Sequence, residues 1–139
     1  MNDKIDFRAN FTIVSYCLAS KMGELIKKMK FQIVISDEAH YLKSWDSIRS
    51  KMLIPILKKF KRVLLLTGTP MLGWPSEIFN LLKVLRPDLF VKFVDFGIRY
   101  THPKISTYGI DWTGASNVRE LHLLLEKSLM IRRLKCEVI

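Results

Sequence analysis

Two short strings in this chain combine residue types that can do chemistry with a spacing that can bring them together. The first, Asp37-Glu38-Ala39-His40, puts two carboxylates and an imidazole within four positions. A carboxylate can hold Mg²⁺ directly or through water, while a neighbouring one orients or deprotonates an attacking water. Asp37 suits the first role and Glu38 the second. The second string, Thr67-Gly68-Thr69-Pro70, begins twenty-seven residues after His40. Its hydroxyls both donate and accept hydrogen bonds, and Gly68 lets another backbone come close, so the string can sense an acidic site beside it. In isolation an Asp-Glu pair is more often two solvated acids, and Thr-Gly-Thr-Pro is more often a turn. The surrounding elements decide between these readings.

Phe31-Gln32-Ile33-Val34-Ile35-Ser36 is almost continuously apolar and predicts a strand buried on both faces of a parallel sheet. Val63-Leu64-Leu65-Leu66 predicts a second. Each string therefore follows the carboxyl end of a strand, where open parallel sheets bind their ligands. Between the strands Ile48, Met52, Leu53, Ile56, Leu57 and Phe60 recur at helical spacing, with Pro55 expected to kink that helix or start a new turn. Strands joined through a helix imply an α/β layered fold with right-handed crossovers. Upstream, the β-branched and aromatic run Phe11–Tyr16 predicts a further strand, and Glu24 to Lys30 the end of a helix. Downstream, a short helix over Glu77 to Leu85 stops at Arg86-Pro87. Phe90, Phe93, Phe96 and Tyr100 have the spacing of a buried helix face. His102 to Gly114, with Pro103 and Gly109, is expected to be a loop. Asn117 and Glu120 then form a capping-box-like start to an amphipathic helix carrying Val118, Leu121, Leu124, Leu125 and Leu129.

Composition narrows the class. A length of 139 residues allows one domain, and 49% hydrophobic with 26% charged residues fits a folded chain rather than a disordered one. The longest apolar stretches fall far short of the ~18 residues of a membrane span. Met1 to Asp6 lacks the basic start and apolar run of a secretory leader. Cys17 and Cys136 lie far apart, without metal-ligand spacing, so neither a disulfide framework nor a zinc site is expected. His102 and His122 have no second ligand at helical spacing and are expected to be surface or packing residues. The chain carries 23 Lys and Arg against 13 Asp and Glu, a net charge of +10. Residues 21–62 hold eleven of those cations and only four acids. A polyanion, nucleic acid first and a membrane surface second, is the expected partner of such a surface. The run Lys58-Lys59-Phe60-Lys61-Arg62 is expected to end the crossover helix and enter the strand at Val63.

The two strings together resemble motifs II and III of superfamily-two helicase-like ATPases, specifically the Swi/Snf-type DNA translocases. Ile13-Val14-Ser15-Tyr16 is similar to that family's Ser-Tyr segment upstream of motif II. Met130 to Val138, containing Arg132, Arg133 and Lys135, is similar to the Arg-Arg-x-Lys-x-x-Val string that closes the first lobe. The segment Trp112 to Asn117, followed by Glu120, Leu121 and the leucine-rich helix, looks most like the annealing-helicase branch, which rewinds DNA and remodels stalled forks. The resemblance covers nearly the whole chain. It implies an α/β fold: a partial RecA-like (P-loop NTPase) lobe, with a parallel sheet and flanking helices over residues 1–86. A mainly helical extension would occupy 87–139 and lead toward a second lobe.

Carried over by residue, the resemblance implies Mg²⁺ coordination at Asp37, water activation at Glu38 and coupling to neighbouring motifs through His40. Thr67, Gly68 and Thr69 would link the ATP state to DNA movement. Ser15 and Tyr16 would lie near the DNA, and Arg132, Arg133 and Lys135 at the lobe junction. ATP and Mg²⁺ would be the cofactors, double-stranded or forked DNA the substrate, and the nucleus the location. The departure is as informative. A phosphate-cradling loop needs G-x-x-x-x-G-K-[ST], and this chain has no Gly-Lys pair. The second lobe, where the family keeps its arginine finger, is also missing. The isolated chain is therefore expected not to turn over ATP. Two other readings stand beside this one: a non-catalytic truncated paralogue that binds DNA or protein through its basic surface, and a helicase-like ATPase acting on RNA or in a restriction system.

Overall fold

The computed structural model describes residue 6 and residues 8–69, 73–133 and 135–137. Pro70, Leu134 and Val138, quoted above as parts of motifs, lie outside the described residues. The order of elements is α1 (Tyr16–Lys21), α2 (Gly23–Lys28), β1 (Val34–Ser36), α3 (Ile48–Leu57), β2 (Val63–Leu65), α4 (Phe79–Leu85), α5 (Phe93–Tyr100), β3 (Lys104–Ser106), β4 (Gly109–Asp111) and α6 (Val118–Ser128). Short 3₁₀ turns at Ala39–Leu42, Pro75–Ile78 and Lys135–Glu137 join them.

β1 and β2 pair in parallel, with Val34 opposite Val63 and Ser36 opposite Leu65. α3 supplies the crossover between them and runs across Pro55 without interruption. Ser47 starts it, its hydroxyl accepting from the Ser50 amide at 3.2 Å as an N-cap. The buried stripe of α3, with Leu53, Ile56 and Leu57, packs on α1, α2 and α4. One hydrophobic cluster includes these residues together with Leu42, Phe79, Leu82, Phe96 and Leu121.

The strand expected over Phe11–Tyr16 is not one. Exposure does alternate along it, with Phe11 and Ile13 outward and Val14 against the core. No strand pairs with it among the described residues. β-propensity records fit to a pleated neighbour, and without that neighbour the run stays an irregular approach to α1. Tyr16 instead becomes the first helical residue, with Ser15 as N-cap accepting from the Leu18 amide at 3.3 Å.

The two-faced burial expected of Phe31–Ser36 also fails. Val34, Val63 and Leu65 turn toward the core, whereas Ile33, Ile35, Leu64 and Leu66 are about half exposed or more. The described helices cover one face only.

The expected loop over His102 to Gly114 contains the antiparallel hairpin β3–β4, so the second half of the chain is not purely helical. The hairpin is exposed throughout, and its root is fixed by close packing. Trp112 sits edge-on to Phe93 at 5.1 Å between ring centres, in a space that a Cβ on Gly97 would fill at 2.5 Å from the indole. A Cβ on Gly114 would lie 2.0 Å from the Thr101 carbonyl oxygen.

The capping box expected at Asn117 is replaced by tertiary contacts. Asn117 adopts a left-handed conformation and its side-chain amide donates to the Arg99 carbonyl at 2.8 Å. Glu120 accepts two hydrogen bonds from the Arg99 guanidinium, at 2.7 and 2.9 Å, and one from the Tyr100 hydroxyl at 2.8 Å. These contacts fasten α6 to α5. The expected aromatic face is present, with Phe90, Phe96 and Tyr100 buried.

Two outcomes follow. Gly114→Ala forces the Thr101 backbone to move and should cost about 1–3 kcal/mol, whereas Gly68→Ala, with open space around its Cβ, should cost well under that. Denaturant unfolding of both variants checks the difference. Hydrogen bonds from Arg99, and then from Tyr100, hold the Glu120 carboxyl below its usual 4.5. A carboxyl lowered by folding adds stability above its unfolded pKa and loses it as pH falls through the folded value. Melting temperature should therefore drop less steeply below about pH 4.5 in Glu120→Gln than in the parent chain.

Candidate functional site

The parallel ladder carries its register past the ends of the strands. The Leu66 amide donates to the Ser36 carbonyl at 2.9 Å, and the Ala39 amide donates to the Leu66 carbonyl at 2.8 Å. The chain leaving β1 is thus stitched to the chain leaving β2, and the two strings meet there. His40 Nδ1 lies 3.1 Å from Thr67 Oγ1 and 3.1 Å from Glu38 Oε2. Thr67 Oγ1 also accepts from the Thr69 amide at 3.3 Å, which curls the Thr-Gly-Thr segment around its own hydroxyl.

Glu38 takes a left-handed backbone conformation, φ 48° and ψ 48°. For a residue with a Cβ this costs roughly 1–2 kcal/mol, and the surroundings must impose it. The Glu38 amide donates to Asp37 Oδ1 at 2.9 Å, and the Tyr16 hydroxyl donates to the Asp37 carbonyl at 2.7 Å. The Tyr16 hydroxyl is a donor at neutral pH, and burial pushes its pKa further up from the usual 10.0. The Arg49 guanidinium lies over both the Tyr16 ring, at 5.6 Å, and the Tyr41 ring, at 5.1 Å. On the far side, Lys43 pairs with Glu77 at 2.9 Å, and Glu77 also accepts from the Gly73 amide at 3.0 Å. That carboxylate ties the segment beyond the threonines back to the chain following His40.

The expected residues thus divide into groups. Asp37, Glu38, His40, Thr67 and Thr69 are together, and Gly68 is exposed beside them. Ser15 caps α1, while Tyr16 touches the acidic string directly. Arg132 and Arg133 are exposed and line an open depression with Glu126 and Glu137, apart from the first group; Lys135 opens the last 3₁₀ turn. Arg49, Lys43 and Glu77 were not expected from the sequence. No local spacing links them to the two strings, so only the folded chain reveals them.

Chemically, the site offers two exposed carboxylates at a strand end and an imidazole bridging one of them to a hydroxyl. Among the described residues no group of three or more His, Cys, Asp or Glu side chains could enclose a metal. A Mg²⁺ that keeps most of its waters and shares phosphate oxygens needs only one or two carboxylates, and the exposed Asp37 fits that requirement.

Residues 2–139 match the SNF2-related domain. The chain belongs to that family. It is 48% identical over 127 residues to the SWI/SNF-related matrix-associated actin-dependent regulator of chromatin subfamily A-like protein 1 of Xenopus tropicalis, covering 91% of this chain and 13% of that protein. It is 40% identical to the human DNA annealing helicase and endonuclease ZRANB3, covering 100% of this chain and 14% of that protein. The Caenorhabditis elegans homologue of the first relative is 37% identical over 91% of this chain and 18% of its own length. The chain therefore spans under a fifth of the length of each of these relatives.

Removing the Tyr16 hydroxyl tests its hold on the acidic string. Tyr16→Phe should lower stability by about 1 kcal/mol through one lost hydrogen bond. Amide exchange at Glu38 and Ala39 should quicken beyond what that global loss accounts for, as hydrogen-exchange mass spectrometry can measure.

Proposed function

We propose that this chain is part of the first RecA-like lobe of an ATP-dependent double-stranded DNA translocase of the annealing-helicase kind, working on duplex or forked DNA in the nucleus. Residues 1–86 would form the back half of that lobe, and residues 87–139 an extension leading toward a second lobe. The observation that carries this reading is the contact of His40 Nδ1 with both Glu38 Oε2 and Thr67 Oγ1. The relatives' names, one a DNA annealing helicase and one a chromatin regulator, agree with it.

Asp37 would hold Mg²⁺, which neutralises charge on the phosphate oxygens of ATP when bound. Glu38 would orient the attacking water and take its proton. With a proton on Nδ1, His40 donates more strongly to the Glu38 carboxylate than to the Thr67 hydroxyl, since charge-assisted hydrogen bonds are the stronger ones. Once Glu38 accepts a proton from water, that preference weakens and Thr67 gains the donor. A change of charge at the acidic string thereby becomes a change of hydrogen bonding in Thr67–Thr69. Ser15 and Tyr16 would lie near the DNA strand, and Arg132, Arg133 and Lys135 at the lobe junction. The chain lacks a Gly-Lys phosphate loop, so the isolated chain would not turn over ATP.

A chimera tests the reading: the matching segment of the Xenopus tropicalis relative is replaced by this chain. The chimera should hydrolyse ATP in a DNA-stimulated manner, and Glu38→Gln should lower kcat about 10²- to 10⁴-fold. A chimera that hydrolyses ATP equally well with Gln at position 38 would refute the assignment of Glu38. Turnover by the isolated chain would refute its dependence on the missing parts.

A further inference from the structure

A cluster of positive charge lies at the end of the sheet opposite the two strings. Arg62 immediately precedes β2, and its carbonyl accepts from the Val34 amide at 3.0 Å, which fixes it beside the start of β1. Lys58 and Lys59 end α3, and Lys61 follows Phe60 into the strand. Lys58, Lys61 and Arg62 border one open depression of about 500 Å³, whose floor includes Ile33, Leu64 and Pro87. Lys83, on α4, is near enough to Lys58 for their charges to repel, and burial with this repulsion lowers the Lys58 pKa.

Among the described residues, none of Lys58, Lys59, Lys61, Arg62 and Lys83 has a carboxylate within ion-pair distance. The nearby acids are engaged: Glu24 pairs with Lys27 and also feels the charge of Lys59, and Asp88 pairs with Arg86. A helix C-terminus gains from a cation at its end, which accounts for Lys58, the C-cap of α3, and for Lys83, which lies in the last turn of α4 and 5.7 Å from the centre of the Phe79 ring. It does not account for Lys61 and Arg62. Lys58, Lys61 and Arg62 gather at the rim of one depression with no ion-pair partner among the described residues, an arrangement that an external anion would compensate.

We propose that Lys58, Lys61 and Arg62, with Lys59 and Lys83 beside them, form a contact surface for the phosphate backbone of duplex DNA, at the opposite end of the sheet from the Asp37–Glu38 site. The choice of DNA over an anionic membrane rests on the function proposed above. The geometry adds to it, because Lys58, Lys61 and Arg62 rim a concave depression that can follow a ridge of phosphates. The contact is sequence-independent, since lysines at a backbone neutralise charge without touching base edges.

The salt dependence of binding reads this directly. A fluorescently labelled blunt DNA duplex is titrated with the 139-residue chain over a series of KCl concentrations, and log K is plotted against log salt. Each neutralised phosphate contributes roughly 0.9 to the slope. The quadruple variant Lys58→Gln, Lys59→Gln, Lys61→Gln, Arg62→Gln should lose about three units of slope and bind at least about tenfold more weakly at low salt. Arginine at 58, 59 and 61 should preserve the slope, which separates lost charge from lost folding. A control variant, Lys104→Gln, Arg119→Gln, Lys127→Gln, should change the slope by less than about one unit. An unchanged slope in the quadruple variant overturns the proposal, as does binding to phosphatidylserine vesicles without binding to the duplex. The two readings fail separately: an inactive chimera rejects the translocase assignment, while the salt slope of the isolated chain judges the surface alone.

Discussion

Parallel strands cannot be joined by a tight turn, so residues 37–62 must leave β1, cross the sheet and return to start β2 from the same end. That requirement determines where the two strings lie relative to each other. It sends the chain after Ser36 and the chain after Leu65 out of the sheet side by side. Their backbone hydrogen bonds, Leu66 to Ser36 and Ala39 to Leu66, then hold the two exits together. The contact of His40 with Thr67 is a consequence of this register. A slip of one residue would turn Thr67 to the other face of the sheet and break the contact.

The register alone does not aim Glu38. Its left-handed backbone lifts the carboxylate off the line of β1, and the chain can then tighten into the 3₁₀ turn Ala39–Leu42. The strain is met from outside that segment. Tyr16, on α1, holds the Asp37 carbonyl, and Arg49, on α3, stacks against both Tyr16 and Tyr41. Ser50 and Asn80 donate to the carbonyl of Leu42 at the end of the same turn, and Asn80 also to that of Lys43. A backbone conformation at one residue therefore depends on side chains from α1, α3 and α4. This is how a strained position persists in a fold of this size.

What the sequence made legible follows from the range of the forces involved. Helix periodicity, the strand at Val63 and the strings at both strand ends depend on neighbours a few residues apart, and all of these appear in the structure. The aromatic face of α5 was legible for the same reason, because three- and four-residue spacing is the contact distance on a helix. Two misreadings turned on partners distant in sequence. Phe11–Tyr16 has the residues of a strand and even the alternation, but no described strand beside it. Asn117 and Glu120 have the types and spacing of a capping box, but Arg99 and Tyr100 compete for their side chains and win. The hairpin β3–β4 was masked by Pro103, Gly109 and Gly114, and the close approach of Gly114 to the Thr101 carbonyl is visible only in the folded chain.

Among the described residues the sheet has packing on one side only. Ile33, Ile35, Leu64 and Leu66 turn away from the helices, so hydrophobic burial clamps these strands from a single face. In a sheet covered on both faces, packing would hold the strand ends rigid without help. Here the positions of Asp37, Glu38 and Thr67 rest to a larger degree on directional contacts: the two exit hydrogen bonds, the Tyr16 hydroxyl, and the Lys43–Glu77 pair that links the chain after His40 to the chain after Thr69. Directional contacts fix geometry well but are individually weak, of the order of 1 kcal/mol net. The geometry of the acidic string is thus sensitive to losing a single polar partner. The hydrophobic cluster around Ile56 and Leu121 is insulated from that loss, because its stability comes from buried area that none of those polar groups supplies.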